Sequence, residues 1–178
     1  MALRRHALTS HVSRLPIYAM SDAATWVQIK RFRERCFDVS GRVLSSSLAK
    51  AVEANHDHCD EREVLIELVS ERTGVASWVL AKNGVTREAV HETLARFGRE
   101  PTAGLRCGRV LASASEEARR DRVAAIDSGH LLLGLLFDSE GVPARALSLL
   151  GLTFDSVRSD LDLLRAREKR EKPTNPQS

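Results

Sequence analysis

Asp127-Ser128-Gly129-His130-Leu131-Leu132-Leu133-Gly134-Leu135-Leu136-Phe137 lies without a gap over Asp60-Glu61-Arg62-Glu63-Val64-Leu65-Ile66-Glu67-Leu68-Val69-Ser70, 67 positions earlier. The overlay runs outward in both directions, from Arg42 to Phe97 in one copy and from Arg109 to Leu164 in the other. Arg42-Val43-Leu44 returns as Arg109-Val110-Leu111, and Gly74-Val75 as Gly141-Val142. Leu80, Gly84 and Thr86 return as Leu147, Gly151 and Thr153, and Val90 and Leu94 as Val157 and Leu161. A tandem repeat of this length is a duplicated supersecondary unit, so the two copies share one local fold.

Each copy reads as four helices. The first covers roughly Ser40–Asn55, then Gly108–Arg122, with Val43, Leu44, Leu48, Ala51 and Val52 on one face at the spacing of an amphipathic helix. Asp60 is placed to cap the second helix, with Glu63 reaching back to it. In copy two, Leu131 to Phe137 widen the apolar stripe so far round that this helix is expected to be central and almost wholly buried. Gly74 and Gly141 are expected to stop these helices in the left-handed conformation. A short third helix turns Val79 and Leu80 inward, or Leu147 and Leu150 in the copy, where Pro143 sits in the first turn. Gly84 and Gly151 end it, and Thr86 and Thr153 cap the fourth helix. No stretch alternates as a strand would. The fold class is therefore all-α, two tandem four-helix repeats packed as a pseudo-twofold globule.

The 178 residues suffice for one domain with a core. The expected organisation is a basic amino-terminal extension over 1–37, a double-repeat domain over 38–164 and a charged tail over 165–178. Within the domain, repeat one spans 38–97, a linker 98–107 and repeat two 108–164. The extension is expected to be largely disordered, with a short amphipathic helix over 25–35 that packs Trp26 and Ile29 on the body; a membrane-surface or partner helix is the alternative. Residues 1–19 lack the apolar run of a secretory signal and read as a leader, a transit peptide or an upstream-start artefact.

The net charge of +3 is unevenly spread. Residues 1–37 carry seven Lys/Arg against two Asp/Glu and residues 165–178 five against two, which leaves fifteen against twenty in 38–164. An acidic body argues against a nucleic-acid groove, and no apolar run approaches the ~18 residues of a membrane helix. Three cysteines at non-equivalent positions, Cys36, Cys59 and Cys107, suit a reducing cytoplasm. Cys59 aligns with Ile126 and reads as a small buried hydrophobe.

Candidate chemistry is sparse. His56-Asp57-His58-Cys59-Asp60 has metal-ligand residue types, but the second copy keeps only the aspartate, so a polar turn is the preferred reading and no metal or cofactor is expected. Ser45-Ser46-Ser47 has no nucleophile-elbow context, and Ala112-Ser113-Ala114 stands in its place in copy two. His130 is expected to bond backbone near its helix start. Trp78, whose counterpart is Arg145, lies off the inward stripe. It reads either as a contact for a protein partner or as a side chain packed beneath the amino-terminal extension. No G-x-x-x-x-G-K-[ST] phosphate loop occurs in the sequence.

The run Asp127 to Leu136, then Glu140-Gly141-Val142-Pro143-Ala144-Arg145-Ala146-Leu147 and Leu150-Gly151-Leu152, resembles the Clp amino-terminal domain family. Copy one resembles it more loosely, through His56, Leu65, Leu68, Thr73-Gly74-Val75-Ala76, Val79-Leu80 and Gly84-Val85. The resemblance covers about residues 38–164. It implies a free-standing, non-catalytic module that recruits substrate or adaptor proteins to a Clp AAA+ unfoldase. The alternatives are an accessory subunit docked on the assembled Clp protease, or a basic-tailed nucleic-acid or membrane-surface protein. The expected partners are a Clp AAA+ ATPase or protease core together with substrate or adaptor proteins, with no nucleic acid and no membrane. Some family members recognise phosphoarginine through an acidic residue in each copy. Arg62 and Gly129 stand at those positions here and remove the carboxylate that would pair a guanidinium. The residues expected to form a protein-binding surface are Asp60, Glu61 and Arg62, then Asp127, Ser128 and Gly129, and the equivalent pair Trp78 and Arg145.

Overall fold

The computed structural model describes residues 36, 38–54, 59–98 and 105–171. They form α1 (Asp38–Glu53), α2 (Glu61–Ser70), α3 (Val75–Lys82), α4 (Arg87–Ala95), α5 (Leu105–Arg120), α6 (Ser128–Phe137), α7 (Val142–Leu149) and α8 (Phe154–Glu171). Helix starts move from 38 to 105, 61 to 128, 75 to 142 and 87 to 154, a shift of 67 each time. The first three helices keep that shift at their ends too, whereas α8 outruns α4. Among the described residues, extended pairing is confined to one isolated parallel bridge between Cys36 and Ile126. The helix expected over 25–35 and the cluster His56-Asp57-His58 lie outside the described residues.

Local chemistry sets most helix ends. Asp60 Oδ1 accepts from Arg62 N at 2.8 Å, and Thr86 Oγ1 accepts from Ala89 N at 3.1 Å, each satisfying a first-turn amide with no helical partner. The reciprocal capping box belongs to copy two. Asp127 Oδ1 accepts from His130 N, and His130 Nδ1 accepts from Asp127 N, both at 3.0 Å. In copy one, Glu63 instead lies 3.8 Å from Lys50 Nζ. Gly84 and Gly151 close α3 and α7 with φ of 67° and 83°, the left-handed cap that glycine adopts without steric cost. The expectation for Gly74 and Gly141 needs correction. Gly141 has φ −66° and ψ 144°, ordinary extended backbone before α7. Gly74, with φ 96°, opens α3, while α2 has already ended at Ser70. α1 and α5 begin ahead of the expected Ser40 and Gly108, at Asp38 and Leu105.

Packing between the halves is reciprocal. α2 and α6 meet each other. α3 packs on α6 as α7 packs on α2; α4 packs on α7 as α8 packs on α3; and α1 packs on α6 as α5 packs on α2. Each contact thus has a mate under exchange of the halves, the signature of an isologous, pseudo-twofold interface. Leu65 and Leu68 of α2 share one apolar core with Leu131, Leu132, Leu133 and Leu135 of α6. α6 is buried from Ser128 through Leu136. Phe137 departs from the expected burial and is 59% exposed, because the helix end carries it past the core. Gly134 lets α6 approach α5 closely; a β-carbon there would stand 2.4 Å from the Val110 carbonyl oxygen.

Candidate protein-docking face

The conserved arginine of each overlay, Arg42 and Arg109, has the same task in both halves. Arg42 grips Glu71 with Nε and Nη2 at 3.0 Å each, and Arg109 meets Asp138 at 3.0 Å. Each ties the first helix of its half to the residue just past the second, so both arginines are structural.

The sequence-predicted surface residues divide by burial. Asp60 is occupied as a cap. Glu61 is buried, and its Oε1 lies near Gly141, 3.5 Å from where a β-carbon would stand. Ser128, the equivalent of Glu61, is buried and accepts from Ala76 N at 3.1 Å across the interface between halves. Gly129 is also buried. A β-carbon there would lie 2.8 Å from Leu161 Cδ2 and 3.0 Å from Val75 Cγ1. Glu61, Ser128 and Gly129 therefore present no surface, a correction to the expectation, and a side chain at Gly129 would have to displace Leu161 and Val75. Arg62 is half-buried and donates from Nη1 to the Gly98 carbonyl.

Trp78 and Arg145 each stack at the surface. Lys82 Nζ lies 5.4 Å from the Trp78 ring centroid, and the Arg145 guanidinium 4.8 Å from that of Phe97, cation–π arrangements. Trp78 is half-buried and packs against the core. Lys82 also pairs with Asp160 of α8, which accepts from Asn83 Nδ2 at 2.8 Å. Burial pushes the Asp160 carboxyl up, but these two donors outweigh it and hold the group below the usual aspartate range.

Sequence reading did not find a buried ionic network in the second half. Arg158, 5% exposed, pairs with Glu117 and donates to both Asp121 oxygens at 3.2 Å. Arg165 pairs with Asp121 and meets Asp127 at 3.1 Å. His130 is fully buried and its Nε2 lies 3.0 Å from Asp121 Oδ2. Its Nδ1 lies 3.0 Å from both Asp127 N and Asp127 Oδ1, and Arg165 Nη2 stands 2.9 Å from Nε2. Both ring nitrogens of this buried histidine are engaged by neighbouring groups, so the side chain orients helices and is not free for general-base work. No local signal marks the network, since the carboxylates that Arg158 and Arg165 draw from outside α8 lie 37 to 44 positions away.

Cys59 and Cys107, 2% and 1% exposed, are free thiols in the core. A hydrogen bond between them and burial push the Cys59 thiol well up, which suppresses the thiolate. No group of three or more metal-ligating side chains occurs among the described residues, and no helix among them is long and apolar enough to cross a membrane.

Comparison with known proteins places this arrangement. The family model of the Clp repeat (R) N-terminal domain matches residues 105–178. The chain is 31% identical over 146 residues to the chaperone protein ClpB of Oceanobacillus iheyensis, covering 78% of this chain and 18% of that protein. It is 30% identical over 146 residues, with the same coverage, to the negative regulator of genetic competence ClpC/MecB of Bacillus subtilis. The chain thus spans under a fifth of the length of these curated relatives. The crystal structure of the N-terminal domain of ClpD, a caseinolytic-protease-associated chaperone of Arabidopsis thaliana, superposes with a TM-score of 0.58 at 19% identity, covering 75% of this chain and 96% of that one. At that identity the likeness speaks for the fold.

Proposed function

The chain belongs to the Clp repeat N-terminal domain family, and from that membership we propose that it is a non-catalytic protein-binding module of the Clp system, recruiting substrate or adaptor proteins to a Clp AAA+ unfoldase in the cytoplasm. The observation that supports this reading is how the charged side chains are used. The Asp121 network and the Arg42 and Arg109 pairs join helix to helix, and the capping box is used up in opening α6. What remains for function is the outer surface, which suits binding and not chemistry. Trp78 and Arg145, at equivalent positions on α3 and α7, are the contacts we assign to a partner, with Asp60, Arg62 and Asp127 at the starts of α2 and α6.

Tagged protein captured from its own cells tests this. The expected outcome is co-purification of a Clp ATPase with a varied set of further proteins. A Clp proteolytic core in fixed ratio would instead make the chain an accessory subunit of the assembled protease. Salt-sensitive retention of nucleic acid or anionic lipid alone would contradict the reading.

A further inference from the structure

Cys59 and Cys107 are buried away from any docking face, and the fold brings them together. Cys59 stands just before the Asp60 cap that opens α2, with Sγ 3.9 Å from the Asp60 carbonyl oxygen, and Cys107 lies in the first turn of α5. α5 packs on α2, and both cysteines belong to the core that the halves share. The pseudo-twofold relation places their side chains independently. The positions 67 away hold Ile126 and Ser40, and Ser40 Oγ donates to the Ile126 carbonyl at 2.6 Å. Where the first half reaches into the second with a hydroxyl, the second reaches back with the Cys107 thiol. That thiol meets the thiol of Cys59, and the two are hydrogen-bonded. Cys36 bridges to Ile126, at the mate of this place and not in it.

We propose that Cys59 and Cys107 are a redox clasp between the halves, a dithiol that a low-molecular-weight disulfide converts into an intramolecular disulfide fixing the start of α2 to the start of α5. Two sulfurs in contact meet the main geometric demand of that bond, side chains directed at each other from neighbouring backbones. The link closes 48 positions of chain (107 − 59), so it restricts the unfolded state strongly. Closure runs by thiol–disulfide exchange. One cysteine loses its proton and attacks a sulfur of the small disulfide; that S–S bond breaks, a mixed disulfide forms and the departing thiolate takes up the proton. The second cysteine, deprotonated in turn, attacks the protein sulfur of the mixed disulfide and expels the second small thiol, which takes the second proton. The protein gives up two electrons and two protons, and one small disulfide becomes two small thiols. The contact with Cys107 and burial hold the Cys59 thiol protonated in the closed molecule. Attack therefore begins on a local opening of the helix starts, where the end of a helix favours a thiolate. The clasp is independent of the Clp reading, which co-purification judges.

The test uses the full chain with Cys36→Ser, which leaves Cys59 and Cys107 as its two thiols. The protein is equilibrated with reduced and oxidised glutathione, from the dithiol and from the disulfide side, in native buffer and in unfolding urea, and the species are counted by intact mass after an acid quench. The expected native product is a monomer two hydrogens lighter than the dithiol, with an equilibrium constant for the disulfide at least about tenfold above that of the unfolded chain. The oxidised protein is then expected to have the higher urea midpoint, and dithiothreitol to reverse the rise. An equilibrium constant no greater than in urea, or a native product that carries glutathione on both cysteines, overturns the proposal. If Cys36→Ser loses its cooperative unfolding, peptide mapping of the oxidised parent chain decides: Cys59 joined to Cys107 is expected, and absence of that link, or Cys36 joined to either, overturns the proposal.

Discussion

Gly129 and Arg122 show how much single positions carry that their letters do not. The sequence reveals that Gly129 lacks the family's carboxylate; only the packing shows that a side chain there would meet Leu161 and Val75. Gly129→Glu is therefore expected to lower stability by about 1–3 kcal/mol, the ordinary cost of overpacking, without producing phosphoarginine affinity; urea unfolding and calorimetric titration check both. Arg122 ends α5 with φ 58°, a left-handed cap made without glycine, supported by Val123 N donating to the Ala118 carbonyl at 3.0 Å. That conformation costs a β-carbon-bearing residue about 1–2 kcal/mol. Arg122→Gly recovers part of it and is expected to raise the urea midpoint with an unchanged slope.

At the scale of elements, what was legible is what is local. Asp60, Thr86, Thr153, Gly84 and Gly151 act within four residues of themselves, so their roles follow from spacing. Glu63 does not close the capping box of α2; it lies 3.8 Å from Lys50 Nζ of another helix, which is bound to Glu67 at 2.5 Å. The burial of α6 was legible from Leu131 to Leu136, but the fate of its last residue was not, because periodicity does not say where the neighbouring helices stop covering a face. Gly134 is the tightest element contact. Gly134→Ala is expected to force α5 and α6 apart, since its obstacle is backbone, at a cost of about 1–3 kcal/mol; the equivalent Glu67 in the first half shows that α1 and α2 tolerate a side chain. Asp160 supplies a pH test of the α3–α8 contact. Its folded pKa lies below the unfolded value of about 3.9, so its stabilisation is full above about pH 4 and fades as pH falls through the folded value. Asp160→Asn is expected to flatten the acid side of the stability–pH curve, measured by denaturant unfolding, and to leave the neutral side parallel to the parent.

The whole molecule is two halves that finish each other. Leu65 and Leu68 from one and Leu131, Leu132, Leu133 and Leu135 from the other occupy one core, and Ser128 takes the Ala76 amide across the boundary. Duplication was legible in the ungapped overlay; the closing of the copies onto one another followed from the surplus of apolar surface in each, and the reciprocal helix contacts bear it out. The ionic network around Asp121 has no counterpart, because Ala54, Glu63, His91 and Gly98 stand at the positions equivalent to Asp121, His130, Arg158 and Arg165. Differential scanning calorimetry of Leu65→Asp tests the central claim. A charge placed in the shared core costs several kcal/mol, most of the stability of a domain this size. If the halves form one cooperative unit, a change confined to the first half removes the entire unfolding transition. A surviving transition of about half the parent's enthalpy would mean that the second half folds by itself, and would contradict the account.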